Sequence, residues 1–222
     1  IEDPDVLLSY RAAYAAQVSL LDACLGAFIN AVEVLFAGSD TLVLLTSSRG
    51  FALGEHGSVG TDCVDLYSER MHLPWLAYQC GNTTPLPRWS SLCQPVDIGR
   101  SILDWFGIAE IAGHSDGISC MAALDGKVGD NRRVAVSANG QGERVVRTPA
   151  WMLRKQPSGG GSAAQRLYTK PDDRWESNDI AGLCPQIVEQ LGTLLAEYEQ
   201  CCEVGQSLPL STTDDELVAP NR

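Results

Sequence analysis

Histidine is scarce in this sequence, with three among 222 residues. Eight cysteines are present, but no two stand in a C-x-x-C spacing, and Cys201 and Cys202 are adjacent. A structural zinc site needs four Cys or His ligands, usually in such pairs, so that class is set aside. Buried, reduced thiols are expected instead of a disulfide framework, because a chain this long can build a core without staples. Basic residues are also few: 16 Lys and Arg face 28 Asp and Glu, a net charge of −12. Phosphate-backbone binding needs a basic footprint, so no nucleic-acid partner is expected. Docking on anionic lipid is disfavoured for the same reason. No apolar run reads as long enough to cross a bilayer, so no membrane partner is expected. Residues 1 to 30 lack a basic stretch followed by an apolar one, so no signal peptide is expected. The compartment stays open, with a cytoplasmic location favoured. The first residue is Ile, which fits a processed product or a fragment.

Apolar residues make up 45% of the chain, enough for a core of ordinary size at this length. Asp3-Pro4 reads as a helix start, with Asp as N-cap and Pro in the first turn. Leu7, Tyr10, Tyr14, Leu21, Leu25, Phe28, Val32 and Leu35 then recur at helical spacing, which predicts one long amphipathic helix stopped near Gly38. "TLVLLTS" (41 to 47) reads as a strand buried on both faces, as in a parallel sheet. Residues 50 to 65 read as a loop and "HLPWLAY" (72 to 78) as a second strand. Residues 95 to 107 read as a helix ended by Gly107.

Beyond residue 110 the pattern changes. "RRVAVSA", "ERVVRT", "AWMLRK" and "RLYTK" predict an antiparallel meander. A last helix begins near Pro185. The expected division is an α/β portion at 1–110, a small α+β portion at 111–205 and a disordered tail at 206–222.

Six blocks of this sequence, in order, resemble the sulfatase family of the alkaline-phosphatase-like superfamily. They are "YRAAYAAQVSLLDACLGAFINAVE", "DTLVLLTSSRGFALGEHG", "LYSERMHLPWLAY", "QPVDIGRSILDWFGI", "RVVRTPAWMLRK" and "RLYTKPDDRWESNDIAG". The resemblance covers the C-terminal half of a typical sulfatase. It implies a partial alkaline-phosphatase/sulfatase-like α/β sheet with flanking helices, followed by a small antiparallel sheet with a helix. In the family a calcium or magnesium ion and a formylglycine, made from Cys or Ser in C/S-x-P-x-R, carry the reaction. No such segment precedes the first block here. Cys93-Gln94-Pro95-Val96-Asp97 offers C-x-P, but Asp97 stands where Arg is required and the block is the wrong one, so Cys93 reads as structural.

The family's T-S-D-H-G or T-S-D-N-G places two metal ligands after the strand. Here those positions are Ser48 and Arg49. A hydroxyl is a poor replacement for a carboxylate with a hard cation. A guanidinium keeps its proton and repels the ion. Arg49 reads either as a loop cation paired with Glu55 or Asp62, or as a fixed positive charge in the metal's place. The resemblance gives His56, in G-E-H-G, a sulfate-contacting position, set beside a plain loop histidine. Thr61 stands nearest the family's sulfate lysine and His72 near its arginine. His72 and His114 read as ordinary histidines. Asp62, Asp65 and Glu69 read as a solvated acidic loop.

The resulting expectation is a sulfatase-like protein without hydrolase activity, with no catalytic residue, no metal ligand and no cofactor assigned. Its alternatives are a piece of an active metal-dependent sulfatase whose N-terminal half is separate, and a non-catalytic binding or assembly module. The expected partner is a second copy or the missing half, because an open strand pair invites pairing.

Overall fold

Asp3 opens the first helix: its carboxylate accepts the backbone N–H of Asp5 at 2.9 Å, and Pro4 stands in the first turn. In the computed structural model, which describes residues 3–61, 65–82, 88–108, 116–124, 126, 132–157, 164–205 and 217, this helix (α1) spans Pro4–Leu35. Gly38, at φ +76°, follows its end as expected. The chain divides into two compact units, residues 1–85 and 86–222.

The first unit holds α1, β1 (Leu42–Thr46), a hairpin of β2 (Ala52–Leu53) and β3 (Val59–Gly60), the short α2 (Ser68–Met71) and β4 (Trp75–Gln79). β1 pairs antiparallel with β4, in a register from Leu42 opposite Gln79 to Thr46 opposite Trp75. This corrects the parallel, doubly buried reading of 41–47. Leu42 to Leu45 are half-buried and Thr46 is exposed. A Leu/Val run shows that both faces accept cover, and it carries no information on the direction of the neighbour. The segment from 50 is likewise not a plain loop, since it contains the β2–β3 hairpin.

α1 is tied to this unit at its polar side chains. Arg11 Nε donates to the Leu53 carbonyl at 2.9 Å. Glu33 receives the Tyr78 hydroxyl and, at 3.3 Å, the Gly81 N–H. Its apolar stripe packs less than the spacing suggested, because only Val32 is buried. Leu20, Leu21, Phe28 and Leu35 are each more than half exposed. By length and composition α1 is also long and apolar enough to cross a membrane, which corrects the reading of the apolar runs. A core helix and a leader near an N-terminus meet the same criterion.

The second unit contains α3 (Val96–Trp105), a 3-10 turn at Met121–Ala123, strands β5 (Ala135–Ala138), β6 (Arg144–Arg147), β7 (Trp151–Lys155) and β8 (Gln165–Thr169), and α4 (Pro185–Glu203). The strands form the antiparallel meander β5-β6-β7-β8 that the sequence predicts. Val136, Val146, Leu153 and Leu167 meet Leu191, Leu194 and Leu195 of α4 in the core. Leu217 joins this core, so at that residue the tail at 206–222 is packed. The rest of the tail lies outside the described residues. The division after residue 85 places α3 with the meander, whereas the sequence reading placed it with the first portion. Gln94 Nε2 donates to the Val136 carbonyl at 2.9 Å and fastens the start of α3 to β5.

Seven cysteines are described, all with free thiols; they are exposed or half-buried and none is buried. For these seven this corrects the expectation of buried thiols; Cys63 lies outside the described residues. Small apolar character alone did not place them inside.

Candidate functional site

The β1 end is built by local hydrogen bonds. Ser47 Oγ donates to the Arg49 carbonyl at 2.7 Å and accepts the Arg49 N–H at 3.4 Å. Ser48 and Arg49 are exposed at the turn this makes. Gly50 then lies against α2, where its N–H donates to the Arg70 carbonyl at 3.0 Å. A Cβ at this position would overlap the Glu69 carbonyl, so only glycine fits so close an approach.

The β2–β3 turn carries G-E-H-G. Gly54 N–H donates to the Ser58 carbonyl at 2.9 Å, and Gly54 and Gly57 take φ of +96° and +75°, which glycine adopts without strain. Glu55 accepts the Leu53 N–H at 2.7 Å. His56 is thereby turned onto α2. Its ring stacks on Tyr67, with centroids 3.5 Å apart and planes 4° from parallel. Its Nδ1 lies 2.7 Å from Glu69 Oε1. The two polar side chains are only 18% and 11% exposed. With the Nδ1 proton directed at Glu69, Nε2 is the nitrogen left for a ligand. In the protonated ring Nε2 donates a hydrogen bond, which suits an oxyanion.

Glu69 therefore does not belong to a solvated acidic loop, and sequence reasoning missed its role. The pair is separated by 13 positions, and only the fold of α2 beneath the β2–β3 turn joins it. Asp65 is half-buried. Arg49 does not pair with Glu55, whose carboxylate is engaged by the backbone, and it has no ion pair among the described residues. His72 is exposed at the end of α2, with its N–H donating to the Ser68 carbonyl at 2.7 Å. Thr61 is half-buried after β3. Asp62 and His114 lie outside the described residues.

The donors at the β1 end do not fit a divalent cation. Ser48 offers a neutral hydroxyl and Arg49 a permanent positive charge. Among the described residues no group of three or more His, Cys, Asp or Glu side chains is placed to hold a metal. In the C-x-P segment, Asp97 is buried against Arg132, with Arg132 Nε 3.2 Å from Oδ2. It accepts the Gln94 N–H at 2.7 Å and the Ile118 N–H at 2.8 Å, so its carboxylate has a structural task.

No protein-family model matches the chain. Human iduronate 2-sulfatase is 35% identical over 105 residues, covering 42% of this chain and 19% of that protein. N-acetylglucosamine-6-O-sulfatase of Bacteroides thetaiotaomicron is 29% identical over 121 residues, covering 52% and 20%. The chain thus spans about a fifth of these relatives' lengths. Among solved structures, one of a protein with its substrate D-glucosamine-2-N,6-O-disulfate superposes with TM-score 0.67 at 22% identity, covering 90% of this chain and 42% of that one. A candidate sulfatase, yidJ of Bacteroides fragilis, gives TM-score 0.65 at 19% identity, covering 86% and 43%. At these identities the structural likeness shows the fold: a partial sulfatase-like α/β arrangement with flanking helices and a small antiparallel sheet.

Proposed function

We propose that this sulfatase-like chain recognises an oxyanion with His56 and the β1-end loop, each of which packs on α2, at Glu69 and at Arg70, without metal-dependent hydrolysis at that loop. The observation that carries the reading is Arg49, a fixed cation with no ion pair among the described residues, at the strand end. A guanidinium binds sulfate or phosphate in bidentate fashion and excludes a divalent ion by its charge. His56, oriented by Tyr67 and Glu69, supplies a second donor through Nε2 in its protonated form. Two of the proteins named above, the N-acetylglucosamine-6-O-sulfatase and the one bound to D-glucosamine-2-N,6-O-disulfate, carry sulfated sugars in their names, which fits a sulfate-type oxyanion as the ligand class.

A second reading is metal-dependent sulfate-ester hydrolysis, favoured by the 35% identity to iduronate 2-sulfatase over 105 residues. One pair of measurements separates the two. The full chain is assayed with an aryl sulfate and an aryl phosphate in the presence of calcium and magnesium, and its binding of inorganic sulfate is followed by titration calorimetry. Saturable sulfate binding with no turnover above the uncatalysed rate is expected. Metal-dependent turnover would overturn the proposal in favour of the second reading. Neither binding nor turnover would overturn both and leave an assembly role.

A further inference from the structure

We propose that Cys93 and Cys120 form a reversible disulfide, a thiol-redox site that clips the start of α3 to the segment before the 3-10 turn. Their Sγ atoms lie 3.7 Å apart, although 27 positions separate them in sequence. The approach does not depend on the thiols themselves. The Ile118 N–H donates to Asp97 Oδ1 at 2.8 Å, and the Cys120 N–H donates to Ser101 Oγ at 2.9 Å. Ser101 Oγ in turn donates to the Asp97 carbonyl at 2.7 Å. Asp97 and Ser101, one turn apart on α3, are fully buried, and Arg132 closes on the Asp97 carboxylate. The Cys120 backbone is therefore anchored to the first turns of α3, and Cys93 stands just before them. A sulfur–sulfur bond of about 2.05 Å requires the two atoms to close by roughly 1.7 Å. Cys93 is exposed, so its side chain has room to rotate toward Cys120.

The two thiols differ in a way that gives the chemistry a direction. Cys93 is exposed and Cys120 is half-buried. The hydrogen bond from Cys120 holds the Cys93 thiol below its ordinary range, with help from Arg132 and against burial and Asp97. The same hydrogen bond, then burial, pushes Cys120 up. Cys93 is thus the attacking thiolate and Cys120 the resolving thiol.

With oxidised glutathione as the oxidant, the Cys93 sulfur bonds to one glutathione sulfur and the glutathione S–S bond breaks. The first glutathione leaves with the electron pair and takes up the Cys93 proton. The Cys120 sulfur then bonds to the Cys93 sulfur, the mixed disulfide breaks, and the second glutathione leaves with the Cys120 proton. Two protein thiols are oxidised by two electrons and one glutathione disulfide is reduced to two thiols.

The test uses the full chain, equilibrated across a series of oxidised-to-reduced glutathione ratios and quenched with iodoacetamide. It is then mapped by mass spectrometry without reduction. The expected result is a Cys93–Cys120 linked peptide that rises with the ratio and disappears with dithiothreitol. Cys202→Ser should leave the link intact, while Cys93→Ser and Cys120→Ser should abolish it. The oxidised wild type should melt several degrees higher than the reduced form, a shift absent from Cys93→Ser. If a cysteine variant fails to fold, the wild-type map still decides. Glutathione held on Cys93 without transfer to Cys120 would overturn the proposal. So would Cys93 linked to another cysteine, or no link at a fully oxidising ratio.

Discussion

The imidazole of His56 lies on the phenol ring of Tyr67, 3.5 Å between centroids and 4° from parallel. Stacking fixes the plane of the ring, and the contact from Nδ1 to Glu69 at 2.7 Å fixes its rotation. Two constraints from α2 and its approach thus set the direction of Nε2, which has no partner among the described residues. A loop histidine on a glycine-flanked turn would otherwise sample several rotamers, and that entropy would count against any ligand it bound.

Replacing His56 by Ala is expected to weaken inorganic sulfate binding roughly 10- to 150-fold, the worth of one charge-assisted hydrogen bond of about 1.5–3 kcal/mol. Glu69→Gln keeps a hydrogen-bonding partner and should weaken binding less. Titration calorimetry of both variants checks this. Unchanged affinity in His56→Ala would show that the anion sits elsewhere.

Metal binding gives a separate check on the β1 end. The wild type should show no saturable calcium or magnesium binding at millimolar concentration, because Arg49 repels the ion and Ser48 lacks charge. The double variant Ser48→Asp, Arg49→His should gain measurable affinity, read by calorimetry and by metal content after dialysis. Tight binding by the wild type, or no difference between the two proteins, would contradict this account of the loop.

Asp97→Ala should be among the most damaging single changes in the second unit. It leaves Arg132, itself 6% exposed, without its counter-charge, and strips acceptors from the Gln94 and Ile118 N–H groups. Breaking one partner of a buried pair typically costs about 3–5 kcal/mol. Urea unfolding should show a loss of that order. A loss below about 1 kcal/mol would mean that water reaches the pair and that it carries little of the stability.

The meander was legible in the sequence because each of its signals is local. In the Ala-Asn-Gly-Gln-Gly turn, Asn139 Oδ1 accepts the N–H groups of Gln141 and Glu143 at 3.0 and 2.9 Å, and β-branched residues flank it on both sides. α1 and α4 were legible for the same reason, through a capping Asp or an early Pro and a helical apolar spacing. What was not legible depends on long-range placement. The direction of β1 is set by β4, more than 30 residues further on. The partner of His56 lies on α2, 13 positions further on, and Glu69 carries no mark that distinguishes it from Asp65. The strand-end loop stood out in sequence only by resemblance, and its geometry adds that Arg49 is exposed instead of engaged with Glu55.

The last prediction concerns α1, whose apolar surface is the largest departure from its sequence reading. We propose that it associates with a second copy of the chain. Leu8, Leu20, Leu21, Phe28, Val34 and Leu35 are each more than half exposed. Full burial of such a side chain contributes about 1.5–3 kcal/mol, so covering the exposed part of these six would contribute on the order of 5–13 kcal/mol. Association itself costs about 4–15 kcal/mol in lost freedom. The two ranges overlap, so a concentration-dependent dimer is expected instead of an obligate one. The β1–β4 pair is a sheet of two strands, and its outer edges offer a further surface for pairing. The net charge of −12 on each copy opposes contact, and salt screens that repulsion over about 8–10 Å. Sedimentation equilibrium on the full chain should therefore show a dimer fraction that rises with both protein and salt concentration. Leu20→Glu with Phe28→Glu should shift the population to monomer without altering the melting of the second unit. A monomeric mass at every concentration and ionic strength, with cooperative melting, would mean that α1 is covered within a single chain and that the association does not occur.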